Sequence, residues 1–477
     1  MISDVDSSIP LVVDLDGTLI CNDTLHETAV SAFFSRPLET LMGLPALLSG
    51  RAALKRALFG LSEFDPRDLA YRADVVQLIR KAKAQGRKVH LVTAADQAIA
   101  DRVAEHIGGF DSVLGSDGHS NLKGLGKLEA LQRRFPQGFV YMGDSAADVP
   151  IWRHAKVAVL VGPAIRFRDK LASLGVTVKV MAPSRHSARV WLKQLRVHQW
   201  SKNLLIGVPP VLGHIALDPL VMLKTLLGFL AAGMIASATY ALNDLIDLKA
   251  DRLHATKRHR PLAAGQITIL QIVTAALLLL GAGLVLGWLL SPAFFAALTA
   301  YLVLSAVYTL SFKAIPLLDV ASIGALFTGR IVMGIALHDL PMSPWILSYS
   351  ALFFTSMALA KRHVELMRAR DEGRAVIPGR SYQADDWPIT LAFGISTTLA
   401  AVVVLLLFVT EQGYQTTGYA DPVWLYVAPA CVMLWTFRIW LLSHRKQLDD
   451  DPVVFALRDR VSYILGAFVL TGFLAAL

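Results

Sequence analysis

From about Leu204 onward long apolar runs take over the chain, and they limit what it can become. A segment of about 20 apolar residues matches the thickness of a bilayer core, and in lipid it must satisfy its own backbone as a helix. The sequence therefore predicts about nine spans. Their cores lie near 204–219, 221–242, 267–289, 293–312, 318–337, 345–361, 388–410, 423–442 and 457–476. At 477 residues and 54% hydrophobic, the chain is too apolar for an ordinary soluble protein. The first 200 or so residues nevertheless carry charges throughout and read as a soluble domain.

Basic residues sort the loops. Those after the second, fourth, sixth and eighth predicted spans hold Lys249, Arg252, Lys257, Arg258, Arg260, Lys313, Lys361, Arg362, Arg445 and Lys446. The loops near 214–220, 290–292, 338–344 and 411–422 carry no Lys or Arg. Positive loops stay inside. The soluble domain, followed by Arg189, Lys193, Arg196 and Lys202, falls on that same side. The expected location is thus the inner (plasma) membrane, multi-pass, with the soluble domain cytoplasmic. This topology accounts for most of the net charge of +9, so no nucleic-acid partner is expected. The N-terminus lacks the layout of a signal peptide. Cys21 and Cys431 lie in different halves, so no disulfide framework is implied.

Where the second apolar run ends stands Asn243-Asp244-Leu245-Ile246-Asp247-Leu248-Lys249-Ala250-Asp251. Residues three and four apart share a helix face, so these carboxylates crowd one another and call for a cation between them. Oxygen-only ligands select a hard ion, and Mg2+ is usually held by a few carboxylates together with substrate phosphates. Lys257, Arg258 and Arg260 follow directly and suit a polyphosphate. The plainer alternative is a solvated helix end.

In the soluble part, Ile9-Pro10-Leu11-Val12-Val13 runs into Asp14-Leu15-Asp16-Gly17-Thr18. Three more apolar strands end in polar residues: 89–92 before Thr93, 139–142 before Gly143-Asp144, and 157–160 before Gly162. Continuous apolar strands separated by helical stretches predict a parallel α/β sheet with ligands at the strand carboxyl ends.

This set of motifs resembles the haloacid dehalogenase (HAD) superfamily over most of residues 9–165. The resemblance implies a Rossmann-like parallel sheet with a helical cap. It implies Asp14 as nucleophile, Asp16 as general acid/base, Thr93 on the transferring phosphoryl group, and Lys127 balancing charge, with Lys123 one turn earlier as an alternative. Asp14, Asp16, Asp144 and Asp148 would then hold Mg2+. A carboxylate attacking a phosphate dianion needs a metal and a lysine to offset repulsion. Arg51, Lys55 and Arg56 lie in the cap, where they face an anionic substrate or simply solvent.

Residues 195–477 resemble the UbiA-type intramembrane prenyltransferases. The Asp-rich stretch stands as that family's first motif, and Arg196-Val197-His198-Gln199-Trp200-Ser201-Lys202-Asn203 stands as its lead-in, with Val197 replacing a proline. The second motif departs from the pattern: Asp319 is followed by Ile323 where prenyl-transferring members carry a second aspartate. That departure resembles the decaprenyl-phosphate phosphoribosyltransferase branch, as do Lys361-Arg362-His363-Val364-Glu365-Leu366, Gly379-Arg380-Ser381-Tyr382 and the stretch from Asp451 to Asp459.

The resemblance implies a two-domain chain: residues 1–184 HAD-like, 185–203 a basic linker, and 204–477 an all-α membrane bundle. It implies one Mg2+ in each domain, the second on Asn243, Asp244, Asp247 and Asp251. The aspartates among these would draw charge onto a leaving pyrophosphate. Lys202, Asn203, Lys257, Arg258, Tyr308, Lys313, Asp319, Arg330, Lys361 and Arg362 are the expected substrate contacts. Arg330 falls near mid-span, where an arginine is costly unless it faces a partner or a wet cavity. The implied partners are phosphoribosyl pyrophosphate (PRPP), a polyprenyl phosphate and the bilayer, with a homo-oligomer left open. The implied reaction moves 5-phosphoribosyl to the lipid phosphate, and the HAD domain then removes the 5-phosphate. The alternative is a prenyl transfer to an aromatic or other acceptor, with an accessory HAD domain.

Overall fold

The computed structural model describes residues 6–117, 122–181, 187–377, 379–413, 418–448, 455–456 and 458–477. The chain forms two compact units that alternate along the sequence. One comprises the chain up to Leu195 together with Tyr240–Ala276, and the other comprises Arg196–Thr239 with Leu277–Leu477.

In the first unit β1 (Leu11–Val13), β2 (Val89–Asp96), β3 (Ser112–Ser116), β4 (Val140–Gly143), β5 (Val157–Leu160) and β6 (Thr177–Val180) form one sheet. Its order is β3-β2-β1-β4-β5-β6, and every described pairing is parallel. β1, β4 and β5 are buried throughout, as expected of strands covered by helices on both faces. The chain builds outward from β1 to β3 and then restarts on the other side of β1 with β4. A crevice therefore opens beyond the carboxyl ends of β1 and β4. The four sequence-predicted strands are all present. β3 and β6 were not anticipated, because Ser112–Ser116 holds two serines and a glycine and Thr177–Val180 is a partly exposed edge.

Between β1 and β2 the helices Thr24–Ser35, Pro37–Gly43 and Arg51–Leu61 make the cap. Asp23 starts the first of them by accepting the Leu25 amide at 2.8 Å. The segment Tyr240–Ala276 completes this unit. It contains the end of Pro219–Ile246, the short helix Leu248–Leu253 and the start of Ile269–Leu290. Its buried Ala241, Leu245, Leu248, Leu262, Ile267 and Ile272 form a core against which Val30, Phe34, Val190 and Trp191 pack. Arg252 grips Glu27 with two hydrogen bonds of 2.7 and 3.0 Å and reaches the Asp68 carbonyl at 2.6 Å. Both charged side chains are at most 10% exposed. Lys249 adds an ion pair to Asp68 at 3.0 Å, and the Ile269 amide donates to Asn22 at 3.2 Å.

The second unit is helical. Among the described residues, six helices are long and apolar enough to cross a membrane, not the nine expected. These are Pro219–Ile246, Ile269–Leu290, Pro292–Leu310, Leu318–His338 and the helical stretches Ala384–Gly413 and Pro422–His444. The first predicted span, 204–219, is no spanning helix. Val197–Gly207 is 3-10, and Val208–Leu212 is a single short α-helix. Pro209 and Pro210 explain this, since prolines donate no backbone hydrogen bond and are tolerated only in a helix's first turn. The sixth predicted span lies on Pro344–Asp371, whose second half is charged, and the ninth on Arg460–Ala476, only 17 residues long. Small residues set the packing. A Cβ on Gly394 would stand 1.9 Å from the Trp440 ring, and one on Gly334 would stand 2.3 Å from the Ile206 carbonyl oxygen.

Candidate active sites

β1 delivers Asp14 into the crevice, and the tight loop Leu15–Leu19 follows. Gly17 takes φ +69° there, and a Cβ at this position would stand 2.1 Å from an Asp144 oxygen. A glycine is thus what lets the β1 loop approach the β4 loop. Asp14 Oδ1 accepts the Leu15 amide at 2.8 Å and lies 2.9 Å from Lys127 Nζ. Lys127 comes from Leu125–Arg134 and is buried, whereas Lys123 is exposed. Lys127 also donates to the Tyr141 hydroxyl at 3.1 Å, which donates to Asp148 at 2.9 Å. The Ser145 amide and hydroxyl hold the other Asp148 oxygen at 3.1 and 3.0 Å.

One carboxylate oxygen from each of Asp14, Asp144 and Asp148 lies within 4.8 Å of the other two. Burial, joined by the charges of Asp14 and Asp148, pushes the Asp144 carboxyl up to about 8. Burial likewise raises Asp14 against the pull of Lys127. The all-oxygen set of these three carboxylates fits a hard divalent cation. Asp16, expected among the ligands, has its carboxylate outside this group. One of its oxygens accepts the Thr24 amide at 2.7 Å, and burial and Asp23 push it up to about 7. Thr93 is fully buried, its hydroxyl oxygen accepting the Ala95 amide at 3.0 Å. From the cap, Lys55 donates to the Ala94 carbonyl at 2.6 Å, beside Thr93. Arg72 donates to the Gly17 carbonyl at 3.1 Å. No sequence motif had marked Arg72.

The Asp-rich segment is arranged around an arginine. Arg260 donates to Asp251 at 2.5 Å and to Asp244 at 3.3 Å. Gln194 donates to the second Asp244 oxygen at 2.9 Å, while its own carbonyl takes the Leu262 amide. Asn243 donates to Asp247 at 3.1 Å. Lys257 lies 3.9 Å from Asp251, and Arg258 is exposed. Arg260 thus supplies a positive charge between two of these carboxylates, Asp244 and Asp251. Among the described residues Asp244, Asp247 and Asp251 do not converge as Asp14, Asp144 and Asp148 do. Asp244 and Asp251 are buried, so their charge has to be matched by Arg260 or by another cation.

In the helical unit, Asp319 is fully buried beneath three donors. Arg362 lies 2.9 Å away, Arg380 3.1 Å and the Tyr382 hydroxyl 2.7 Å. Arg362 also pairs with Glu365, and Arg380 hydrogen-bonds Tyr308. The sequence marked Asp319, Tyr308 and Arg362. It did not mark Arg380 and Tyr382 as site residues, because they reach Asp319 only through the fold. Lys313 lies in the turn Phe312–Ala314, and Lys361 is exposed on its helix. Arg330 is buried and bonds Asn203 at 2.9 Å, the Tyr301 hydroxyl at 2.9 Å and the Leu326 carbonyl at 2.6 Å. Arg330 and Lys202 both stand 5.3 Å from the Phe327 ring centre. Among the described residues, the buried side-chain nitrogen of Asn203 meets no hydrogen-bond partner. Of the stretch from Asp451 to Asp459, residues 451–454 and 457 lie outside the described residues, and Asp459 accepts two hydrogen bonds from Arg438 at 2.8 and 2.9 Å.

Two families match the chain. Residues 208–463 match the UbiA prenyltransferase family, and residues 11–153 match the haloacid dehalogenase-like hydrolases. An uncharacterized protein of Sinorhizobium fredii, y4nM, is 50% identical over 99% of this chain and 92% of its own. The decaprenyl-phosphate phosphoribosyltransferase of Mycobacterium tuberculosis is 27% identical over 57% of this chain and 89% of its own. A UbiA homolog from Archaeoglobus fulgidus, solved bound to GPP and Mg2+, is similar at 16% identity and a TM-score of 0.46. That match covers 59% of this chain and 99% of the other.

Proposed function

The chain belongs to the UbiA prenyltransferase family and carries an N-terminal HAD-like hydrolase domain, and from that premise we propose that it makes a polyprenyl-phosphoryl ribose in two steps. In the first, 5-phosphoribosyl passes from PRPP to a polyprenyl phosphate. In the second, the hydrolase domain removes the 5-phosphate. Both sites lie on the cytoplasmic side in this reading.

The observation that carries the first step is the surrounding of Asp319. Arg362 and Arg380 close on this aspartate, and Ile323 stands in the sequence where prenyl-transferring members carry a second one. Two guanidiniums beside Tyr308 suit phosphate oxygens, which they can hold bidentately. Three phosphate centres need placing: the pyrophosphate, the ribose phosphate and the lipid phosphate. The similarity to decaprenyl-phosphate phosphoribosyltransferases supports the same reading. Asp244, Asp247 and Asp251 would hold Mg2+, which draws charge onto the leaving pyrophosphate. Arg260 then exchanges its carboxylates for pyrophosphate oxygens. The bond from the ribose anomeric carbon to the pyrophosphate breaks, and the bond to the lipid phosphate oxygen forms. Asn203, Lys202 and Arg330 line a second cationic position within the bundle.

In the hydrolase domain Asp14 attacks phosphorus. Lys127, 2.9 Å away, pulls that carboxyl back toward its ionised form against the burial that raises it. Mg2+ held by Asp14, Asp144 and Asp148 would offset the repulsion between nucleophile and phosphate. Asp16, with its pKa pushed up to about 7, carries a proton near neutrality and gives it to the leaving ribose oxygen. It then takes one back from the water that cleaves the aspartyl phosphate, releasing inorganic phosphate and restoring Asp14.

The deciding experiment incubates detergent-solubilised protein with ribose-labelled PRPP, Mg2+ and polyprenyl phosphate and separates the lipids. Wild type should yield labelled lipid without a 5-phosphate, and Asp14→Asn should leave the phosphorylated lipid. Asp247→Ala should yield neither. Label that never enters the lipid phase, with turnover of a polyprenyl diphosphate instead, would turn the membrane half into a prenyltransferase.

A further inference from the structure

The cap carries an apolar surface that nothing in the unit covers. Seven large apolar side chains between Phe33 and Leu48 are exposed, and Leu38, Met42 and Leu48 are 75%, 81% and 92% exposed. All but Phe33 belong to Pro37–Gly43 and the 3-10 turn Leu44–Ser49. Scattered exposed leucines mean little, but a contiguous patch marks a contact with another apolar phase.

Two observations name that phase. The first is position within the unit. The helix leading into the patch, Thr24–Ser35, packs Val30 and Phe34 against the core of Tyr240–Ala276. That core includes Ala241, near the end of the membrane-length helix Pro219–Ile246, and Ile272, in the first turn of Ile269–Leu290. The helix therefore packs on the ends of two membrane-length helices, and the exposed stretch begins one residue beyond its last turn. The second is charge. From Thr28 to Ser62 the chain holds Arg36, Arg51, Lys55 and Arg56 but only one acidic residue, Glu39. Apolar side chains flanked by bases suit the headgroup boundary of an anionic leaflet.

We propose that residues 36–50 dip into the lipid interface of the membrane that this chain's own helices cross, making the cap a membrane-contacting element. The next helix, Arg51–Leu61, carries Lys55 to the Ala94 carbonyl beside Thr93. The lipid contact and a cation facing the catalytic loop thus lie on adjoining elements. If the substrate is lipid-linked, as the proposed function holds, the cap meets it where its phosphate leaves the bilayer.

The test uses the full chain in nanodiscs of mixed neutral and anionic phospholipid. In a Cys21→Ser/Cys431→Ser background, Leu48→Cys and Met42→Cys are labelled in turn with an environment-sensitive fluorophore. Glu105→Cys, on the exposed face of Gln97–Ile107, serves as the aqueous control. Labels at 42 and 48 should emit to the blue of the control. They should lose emission to lipids bearing a headgroup nitroxide and be shielded from iodide. Emission matching the control overturns the proposal. So does a shielded label that lipid nitroxides leave untouched, which would mean a second copy or another protein covers the patch. This readout needs no catalysis, so it stands apart from the proposed reaction. A second arm compares wild type with Leu38→Glu/Met42→Glu/Leu48→Glu. The variant should lose hydrolysis of a bilayer-held phosphomonoester and keep hydrolysis of soluble p-nitrophenyl phosphate. Equal loss on both substrates would speak for a cap that is merely damaged and against a lipid contact.

Discussion

At the crevice of the sheet, Asp14, Asp144 and Asp148 share Lys127 as their close cation, and that imbalance has a pH signature. The Asp144 carboxyl is raised from its ordinary value to about 8, so the fold favours its protonated form. Its contribution to stability is full at acid pH, below the unfolded value, and is lost as pH rises through about 8. Metal-free protein should therefore melt at progressively lower temperature as pH is raised from 6 to 9, and Mg2+ should remove most of that slope. A melting temperature that climbs over this range in chelator would refute the reading. Lys127→Met should abolish phosphomonoester hydrolysis and cost about 3–5 kcal/mol of stability, because it strands buried carboxylates. Part of that loss should return at lower pH, measurable by denaturation at two pH values. Asp14, Thr93 and Lys127 were legible in the sequence because strand ends and motif order give their places. Arg260 reads in the sequence as a polyphosphate contact and not as the partner of Asp244 and Asp251, and Arg380 meets Asp319 only through the fold.

Among the elements, the spans show how far hydropathy reaches. A window of apolar side chains sees solubility in lipid but not continuity of the backbone, so it read Leu204 to Pro219 as a helix through two adjacent prolines. What the chain builds there is a 3-10 stretch whose Ile206 carbonyl rests on Gly334 of Leu318–His338. Gly334→Leu should force these two segments apart and cost about 1–3 kcal/mol, seen as earlier thermal unfolding in detergent. Gly329, on the same helix with open space around its Cα, should accept alanine without such a loss. β3 and β6 escaped notice for a related reason, since their strand character comes from pairing with β2 and β5 and not from their own apolarity.

Across the whole molecule, the boundary between soluble and apolar sequence is plain to the eye, yet the compact units do not follow it. Tyr240–Ala276, from between two membrane helices, packs with the hydrolase fold. The Arg252–Glu27 pair is a large part of that attachment. Arg252→Ala should cost about 3–5 kcal/mol, because Glu27 is left charged and buried. Adding Glu27→Ala should recover much of it, a coupling that a double-mutant cycle reads directly. Lys249→Ala, removing a half-exposed lysine from its pair with Asp68, should cost under about 1 kcal/mol.

That interleaving also orders the birth of the protein. The ribosome releases the sheet and the cap first, while Tyr240–Ala276 is still unmade. Val30, Phe34, Val190 and Trp191 have no core to close upon until Pro219–Ile246 has entered the bilayer and the chain has turned back. The nascent hydrolase fold must therefore wait, unfinished on one face, for the translocation machinery to hand it its last piece. Maturation of the soluble half becomes a report that membrane insertion has begun correctly.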